Sequence, residues 1–153
     1  MIINTLMKNW KWQERYLDLA EEISKWSKDP STQCGAVAVG DKGQILSQGY
    51  NGFPRGIHDN IGLLEDKKSK YDRIVHAEMN VIYNACYNGV SLDGASLYIY
   101  GLPLCSKCCL GVIQVGIKRV IMKAPKLPER WNESWQLSQK LLSEANIKYD
   151  LQS

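Results

Sequence analysis

The sequence predicts an α/β fold in which one sheet carries helices on its faces. Short apolar runs of strand length alternate along the chain with longer segments whose apolar residues recur at helical spacing. Such alternation is typical of a layered α/β architecture. The chain has 153 residues, of which 44% are apolar. This is enough to bury the core of one domain, so we expect residues 1–153 to form a single domain.

The first half of the chain predicts one long helix and a pair of strands. Apolar residues at helical spacing predict an amphipathic helix over residues 10–28, which an Asp-Pro pair ends. Residues 34–39 predict a buried strand, and residues 44–50 its hairpin partner across an Asp-Lys-Gly turn. Turn residues predict an ordered loop over residues 51–56. Residues 57–73 are polar and highly charged, so we expect a mobile excursion on the surface.

The second half predicts helices and strands in alternation. The expected elements are a helix over residues 75–87, a strand over 95–100, a helix over 105–115, a strand over 119–123, a helix over 131–145 and a short strand over 147–151. This pattern indicates neither the order of the strands nor their directions.

Charge and cysteine content narrow the class of protein. A formal net charge of +3 does not indicate a nucleic-acid-binding surface, and no apolar run approaches the ~18 residues of a membrane span. The first residues lack the pattern of a signal peptide. The five cysteines are odd in number and three of them lie within five positions, which predicts metal binding in a reducing compartment. We therefore expect a cytoplasmic protein without a membrane or nucleic-acid partner.

The pattern with the clearest chemistry is His76-Ala77-Glu78, followed by Cys105 and Cys108. One imidazole and two thiolates give three ligands, and a catalytic zinc typically takes three protein ligands and leaves a position for water. Residues three apart at the start of a helix share a face, so both cysteines can bind one ion. Two thiolates cancel the formal charge of Zn²⁺, which makes water at the metal less acidic. A base is then needed, and we expect Glu78 to be that base.

Other interpretations of these residues stay open on sequence alone. A Cys-x-x-Cys pair also fits a redox pair or half of a structural zinc knuckle, although a knuckle needs a second ligand pair at similar spacing. Cys109 lies near the helical face of Cys105, so it is either a further ligand or a small buried thiol. His58 is expected in a solvated loop, with a contact to a ligand phosphate or to a second metal as the alternative.

The motifs resemble a known family. His-Ala-Glu-Met-Asn with Cys-x-x-Cys resembles the cytidine and deoxycytidylate deaminase superfamily, whose zinc enzymes carry this signature. Residues 27–36 (SKDPSTQCGA), 49–56 (GYNGFPRG) and 114–120 (QVGIKRV) are similar to the deoxycytidylate (dCMP) deaminases within it. The resemblance covers roughly residues 10–125. The chain departs from the pattern at Leu104, where proline usually precedes the first cysteine, and at Cys109, where a small residue is usual.

The resemblance implies a fold, a reaction and a set of binding residues. The fold is the cytidine-deaminase-like three-layer α/β/α sandwich with a five-stranded mixed sheet. The reaction is the zinc-dependent hydrolysis of dCMP to dUMP and ammonia, which supplies the precursor of thymidylate. The resemblance implies that Asn51 bonds the sugar and that Ala77 and Glu78 read the pyrimidine edge. The expected partners of the 5′-phosphate, without a ranking, are Lys28, Ser31, Thr32 and Arg55.

The resemblance also implies regulation and assembly. Many members of the family are hexamers that dCTP activates and dTTP inhibits, with Mg²⁺ beside the effector. We therefore expect a homo-oligomer in which the loop and the charged excursion contact an effector. The expected effector contacts are Asn51, Gly52, Phe53, Arg55 and Arg73.

Two rival functions stay open. A zinc deaminase that acts on free cytidine, tRNA adenosine or a base in single-stranded nucleic acid would share the metal pattern. Holding a strand, however, needs a basic and aromatic surface. A non-catalytic binding module stabilised by zinc is the rival from another class, and it would have no use for a carboxylate beside an open metal position.

Overall fold

A mixed sheet of five strands forms the centre of the protein. The computed structural model describes residues 2–153, with side chains described from residue 10 onward. The strands are β1 (Gly35–Val39), β2 (Ile45–Tyr50), β3 (Ser96–Tyr100), β4 (Arg119–Lys123) and β5 (Lys148–Gln152). They lie in the order β2-β1-β3-β4-β5. Strand β1 is antiparallel to β2 and β3, whereas β3, β4 and β5 are parallel. The five-stranded mixed sheet is therefore confirmed.

The helices agree with the sequence prediction except in the charged segment and at the first helix, which begins before residue 10 and ends four residues before the predicted end. They are α1 (Ile2–Ser24), α2 (Ile61–Glu65), α3 (Lys67–Tyr71), α4 (Ala77–Asn88), α5 (Ser106–Gln114) and α6 (Asn132–Glu144), with a 3₁₀ turn at Glu129–Trp131. Residues 57–73 lie mostly on the surface, as predicted, but they also form α2 and α3, which the sequence prediction missed. Asn60 and Asp66 cap these helices, and Leu64 and Lys70 are buried. Helices of five residues are too short to show an apolar periodicity in the sequence.

The sheet has a helical layer on each face, as an α/β/α sandwich requires. Successive residues of a strand face opposite sides, and the alternation is visible in the two buried clusters. One face packs on α1 through Tyr16, Leu17, Ala20, Ile23, Val37, Val39, Tyr98 and Ile121. The other face packs under α4, α5 and α6 through Ala36, Ala38, Leu97, Ile99, Val120 and Met122. Within the described residues 2–153, none of the helices is both long enough and apolar enough to cross a membrane.

A close approach between β2 and α4 places the start of α4 over the sheet. A Cβ atom at Gly49 would lie 2.7 Å from the Val81 nitrogen and 2.8 Å from the Ala77 oxygen, so only glycine allows this spacing. The hydroxyl of Ser47 donates to the carbonyl of Val81 at 2.7 Å, and Asn84 Nδ2 donates to the carbonyl of Gln48 at 2.7 Å. These contacts fix the helix that begins just after His76.

Candidate active site

Three ligand atoms for a metal converge where α4 and α5 begin. His76 Nδ1 lies 3.4 Å from Cys105 Sγ and 3.3 Å from Cys108 Sγ, and all three atoms lie within 4.8 Å of one another. Zinc binds thiolate at about 2.3 Å and imidazole at about 2.0 Å, so ligands of a tetrahedral ion lie less than about 4 Å apart. The donor set and its spacing therefore fit zinc.

Helix capping explains how two of the ligands reach this point. His76 and Cys105 are the N-cap residues of α4 and α5, and both have extended backbone. Cys105 Sγ accepts a hydrogen bond from the backbone nitrogen of Cys108 at 3.4 Å, as capping side chains do. Free N–H groups and the positive ends of two helix dipoles favour negative charge at this junction. The local fold thus stabilises the Cys105 thiolate before any metal binds.

The two thiols differ in acidity. Hydrogen bonds from the Cys108 thiol and from His76 lower the pKa of Cys105 to about 4, although burial opposes this shift. The Cys108 thiol donates its proton to Cys105, and this hydrogen bond together with burial raises the pKa of Cys108. The pair therefore shares one proton when no cation is present. A cation between the sulfurs favours both thiolates, so metal binding releases this proton.

The C-terminal part of the chain holds the segment that carries the cysteines. Trp131 Nε1 donates to the Pro103 carbonyl at 2.8 Å, and the hydroxyl of Ser138 donates to the Leu104 carbonyl at 2.7 Å. The nitrogen of Ser106 donates to the Ser134 hydroxyl at 2.9 Å. The 3₁₀ turn and α6 therefore position the start of α5. The sequence motifs contained no signal for this support.

The two alternative ligands lie elsewhere. The thiol of Cys109 is fully buried and donates to the Ser138 carbonyl at 3.7 Å, so it points toward α6. Burial raises its pKa to about 11, which makes it a poor ligand. His58 is exposed in the loop before α2. Among the residues with described side chains, the cluster contains His76, Cys105 and Cys108 and neither of these two.

Glu78 is a buried carboxyl beside the cluster. Its side chain belongs to the first turn of α4, only 5% of the residue is exposed, and it lines the same cavity as His76. Burial raises the pKa of Glu78 to about 7, although the positive charge of His76 opposes the shift. A carboxyl with a pKa near neutrality can both accept and release a proton, which is what a general acid–base group must do.

A cavity opens from the cluster and brings together part of the expected substrate site. Its volume is about 60 Å³, which is far below the roughly 300 Å³ or more of pockets that enclose a whole ligand. The lining residues are Asp29, Ser31, Thr32, Cys34, Asn51, Lys70, Tyr71, Ile74, His76, Ala77, Glu78, Leu102, Pro103, Arg130 and Trp131. Four expected substrate contacts, Ser31, Thr32, Asn51 and Ala77, are among them.

Lys28 and Arg55 lie outside this lining. Lys28 Nζ lies 2.6 Å from Asp59 Oδ2 and forms an ion pair with it on the protein surface. Arg55 donates to Asn84 Oδ1 at 2.7 Å, and its guanidinium lies 5.3 Å from the centre of the Tyr87 ring. The structure therefore does not bring either cation to the cavity that contains the cluster.

Asn51 lines the cavity and also forms hydrogen bonds with neighbouring residues of its wall. Its Nδ2 donates to the Thr32 carbonyl at 2.9 Å and to Asp29 Oδ2 at 3.4 Å, and its Oδ1 accepts from the Cys34 nitrogen at 2.8 Å. Both amide protons are therefore used. The remaining capacity of this side chain is the second lone pair of Oδ1, so it can accept but not donate a further bond.

A buried ion pair that the sequence did not indicate lies next to Asn51 in the cavity wall. Lys70 Nζ lies 3.1 Å from Asp29 Oδ1 and 2.6 Å from the Ser31 hydroxyl, and both charged side chains are less than 10% exposed. The same Asp29 oxygen accepts bonds from the nitrogens of Ser31 and Thr32. The pair therefore fixes the turn after α1 against α3. Lys70 sits in a run of charged residues, which hides it among solvated lysines in the sequence.

A second groove accounts for three of the five expected effector contacts. It has a volume of about 550 Å³ and is lined by Tyr50, Gly52, Phe53, Pro54, Arg55, Val75, Asn80, Tyr83, Asn84 and Tyr87. Gly52, Phe53 and Arg55 therefore lie together. Asn51 lines the first cavity instead, and Arg73 Nη1 donates to the Ser69 carbonyl outside both linings.

Comparison with known proteins identifies the family. Residues 10–124 match the family model of the cytidine and deoxycytidylate deaminase zinc-binding region. The chain belongs to the cytidine and deoxycytidylate deaminase family. A deaminase of Aliivibrio fischeri, named for the luxG 3′ region, is 37% identical over 142 residues, which are 90% of this chain and 91% of that protein. The deoxycytidylate deaminase of Mus musculus is 37% identical over 121 residues, which are 76% of this chain and 66% of that protein.

Solved structures of the deaminase family show the same fold. The dCMP deaminase of cyanophage S-TIM5, determined in complex with dCMP and dUMP, has a TM-score of 0.76 at 26% identity. The match covers 92% of this chain and 96% of that one. The resemblance drawn from the motifs is therefore confirmed, as is the cytidine-deaminase-like fold. As a member of this deaminase family, the protein is a hydrolytic enzyme.

Replacing Lys70 tests the structural role of the buried ion pair in this deaminase. Lys70→Met leaves the Asp29 charge buried without its partner, so we expect the free energy of unfolding to fall by about 3 kcal/mol. Lys68→Met is the matched control, because the Lys68–Asp72 pair is exposed and should be worth less than about 1 kcal/mol. Urea unfolding of the two variants measures the difference, and equal losses would contradict the role given to the pair.

The contribution of the Lys70–Asp29 pair to the free energy of unfolding should depend on pH. Burial raises the pKa of Asp29, but hydrogen bonds from Ser31 and Lys70 outweigh burial and hold this pKa below its usual value. The pair therefore adds stability above the ordinary aspartate pKa of about 3.9, and this stability is lost as the pH falls through the lower folded value. Lys70→Met has no such pair to lose, so its deficit in stability relative to the wild type should shrink as the pH falls through this range, which urea unfolding at a series of pH values measures.

Proposed function

We propose that this deaminase converts dCMP and water to dUMP and ammonia, as a single zinc-dependent domain that supplies the precursor of thymidylate. The observation that carries the reaction is the buried Glu78 carboxyl in the same cavity as the His76, Cys105 and Cys108 cluster. The substrate is supported by the S-TIM5 relative, which binds dCMP and dUMP, and by the deoxycytidylate deaminases among the relatives.

The proposed zinc ligands are His76 Nδ1 and the sulfurs of Cys105 and Cys108. Their distances of 3.3 and 3.4 Å support a shared ion. Zinc supplies a Lewis acid that makes water more acidic. The two thiolates offset its formal charge, so the side chains of the protein must provide the rest of the proton transfer.

Glu78 is proposed to move the protons of the reaction. It accepts a proton from the attacking water and delivers it to the ring nitrogen of cytosine, while the water oxygen bonds to the carbon that carries the amine. Glu78 then takes the proton of the new hydroxyl group and passes it to the amine, so that the carbon–nitrogen bond breaks, ammonia leaves and the carbonyl of dUMP forms. Burial suits this role, because a pKa near 7 lets the carboxyl alternate between its two forms.

The remaining cavity residues are proposed to orient the nucleotide. Ala77 lines the cavity beside Glu78, which supports a role of its backbone in reading the pyrimidine edge. Asn51 Oδ1 has one lone pair left, which supports acceptance of a hydrogen bond from a sugar hydroxyl. Ser31 and Thr32 line the same wall. Trp131 lies 6.1 Å from His76 between ring centres and supplies an apolar wall for a planar ring.

Variants at the site separate metal binding from proton transfer. Glu78→Gln should keep zinc but lower kcat for dCMP by about 10³-fold or more, because the amide cannot exchange protons. Cys108→Ala should lose both zinc and activity. Cys109→Ala is the control and should keep both, since its thiol faces Ser138. Elemental analysis and ammonia release measure the two properties, and a Glu78→Gln enzyme of normal rate would remove Glu78 from the mechanism.

Parallel assays of ammonia release test the substrate. The wild-type enzyme should deaminate dCMP in preference to cytidine, dCTP, tRNA adenosine and cytosine in single-stranded DNA. Faster release from one of the other substrates would assign the deaminase to that substrate instead. No release from any of them by zinc-loaded protein would support the non-catalytic zinc module.

We further propose that the enzyme is a hexamer that dCTP activates and dTTP inhibits, with Mg²⁺ beside the triphosphate. The groove at Gly52, Phe53 and Arg55 supports an effector site, while the placements of Asn51 and Arg73 lend it no support. Exposed Tyr83 and Tyr87 on α4 support an interface, because aromatic residues are enriched there.

Titration of the rate against dCMP tests this regulation. With Mg²⁺ present, dCTP should lower the dCMP concentration at half-maximal rate and dTTP should raise it. Identical curves with and without each triphosphate would contradict regulation. The thiolate ligands also support a reducing compartment, so we propose the cytoplasm as the place of action.

A further inference from the structure

Asp29 lies between a buried lysine and the amide of Asn51 in the cavity wall. Its Oδ1 accepts from Lys70 Nζ at 3.1 Å and from the Ser31 nitrogen at 2.9 Å. The same oxygen accepts from the Thr32 nitrogen at 3.3 Å, and Oδ2 lies 3.4 Å from Asn51 Nδ2. One carboxylate therefore joins α3 to the turn after α1 and to the side chain that is proposed to bind the sugar.

The hydroxyl of Ser31 closes this network. It accepts a hydrogen bond from Lys70 Nζ at 2.6 Å and donates one to Asp29 Oδ1 at 3.0 Å. Both charged side chains are less than 10% exposed. Burying an ion pair costs desolvation energy, and replacing such a pair with apolar residues often leaves stability unchanged or improved. The position that the pair imposes on the turn is therefore a better reason for its presence than the stability it adds.

The segment after this turn holds the Asn51 amide by both of its ends. Nδ2 donates to the Thr32 carbonyl at 2.9 Å, and Oδ1 accepts from the Cys34 nitrogen at 2.8 Å. Asp29 binds the backbone nitrogen of Thr32, so the place of the amide depends on the place of the carboxylate. A displacement of about 1 Å in a group that orients a substrate is enough to lower the rate substantially.

The chemistry of dCMP specifies what the amide can recognise. A 2′-deoxyribose whose 5′ oxygen carries the phosphate has one free hydroxyl, at the 3′ position. Both amide protons of Asn51 are used within the protein, and one lone pair of Oδ1 is left. The 3′-hydroxyl can donate to this lone pair only if Oδ1 is held within hydrogen-bond distance of it.

We propose that Lys70 and Asp29 are positioning residues that hold the Asn51 amide oxygen where it accepts a hydrogen bond from the 3′-hydroxyl of the substrate. This inference rests on the proposed function and leaves its reaction centre unchanged. Lys70 acts through Asp29 and the turn, and it needs no contact with the nucleotide. The charged segment that contains α3 thereby contributes to recognition of the sugar.

The test compares dCMP with 2′,3′-dideoxycytidine monophosphate, which lacks only the 3′-hydroxyl. Lys70→Met should lower the ratio of kcat/KM for dCMP to that for the dideoxynucleotide by about 5- to 10-fold, chiefly through KM for dCMP. Loss of folded protein lowers both values equally and leaves the ratio unchanged. Lys70→Arg should recover part of the ratio, because it restores a charged donor. Lys68→Met, in the same helix, is the matched control and should keep the ratio.

A double variant tests whether Lys70 acts through Asn51. Asn51→Ala removes the amide and should lower the ratio at least as far as Lys70→Met does. In the Asn51→Ala enzyme, adding Lys70→Met should cause no further fall, because the two residues act through one hydrogen bond. A further fall of the same size would show that Lys70 acts independently of Asn51 and would overturn the inference.

The remaining outcomes separate this inference from the proposed function. An unchanged ratio in Lys70→Met would mean that Lys70 holds the fold or contacts a group that both nucleotides share, and it would overturn the inference. A wild-type enzyme with the same kcat/KM for both nucleotides makes no useful bond to the 3′-hydroxyl, which would also overturn the inference but leave dCMP deamination intact. A wild-type enzyme that is inactive on dCMP would refute the proposed function itself.

Discussion

The meeting of two helix N-termini at one point is the constraint on which the site depends. α4 and α5 begin beside each other, and each contributes its N-cap side chain, His76 or Cys105, to the same cluster. Unpaired N–H groups and aligned peptide dipoles make this point favourable for anions. Cys108 follows in the first turn of α5, so the same helix start also positions the third candidate ligand. A metal ion bound here finds its ligands largely positioned.

The electrostatics of the cluster account for the importance of Glu78. In the proposed zinc centre, two thiolates and one neutral imidazole would balance the divalent charge, so little net charge would remain to acidify water. The proposed mechanism therefore relies on the buried carboxyl, whose pKa of about 7 lets it take and return a proton. The buried Lys70–Asp29 pair fixes part of the wall of the cavity that Glu78 lines.

Local signals in the sequence predicted most of the fold and the cluster, and long-range contacts were beyond their reach. Periodicity located the strands, and the spacing of Cys105 and Cys108 on one turn of helix indicated a shared ion. Lys70 was hidden, because burial of a lysine depends on Asp29, which lies 41 residues away. Trp131 and Arg130 were hidden as well, since their approach depends on how the segment after β4 folds back over Pro103. The charges of Lys28 and Arg55 made them candidate partners of the 5′-phosphate, but charge alone does not indicate which residues of a loop face the cavity.

X-ray absorption at the zinc edge is the measurement that most directly tests the central claim of a three-ligand catalytic centre. The zinc-loaded enzyme should show two sulfur neighbours at about 2.3 Å and two nitrogen or oxygen neighbours at about 2.0 Å, one of which is His76. Two light neighbours would mean that one position stays open to solvent beside Glu78. Three or four sulfur neighbours would instead describe a closed structural site, recruit Cys109 against the observed geometry, and contradict the account.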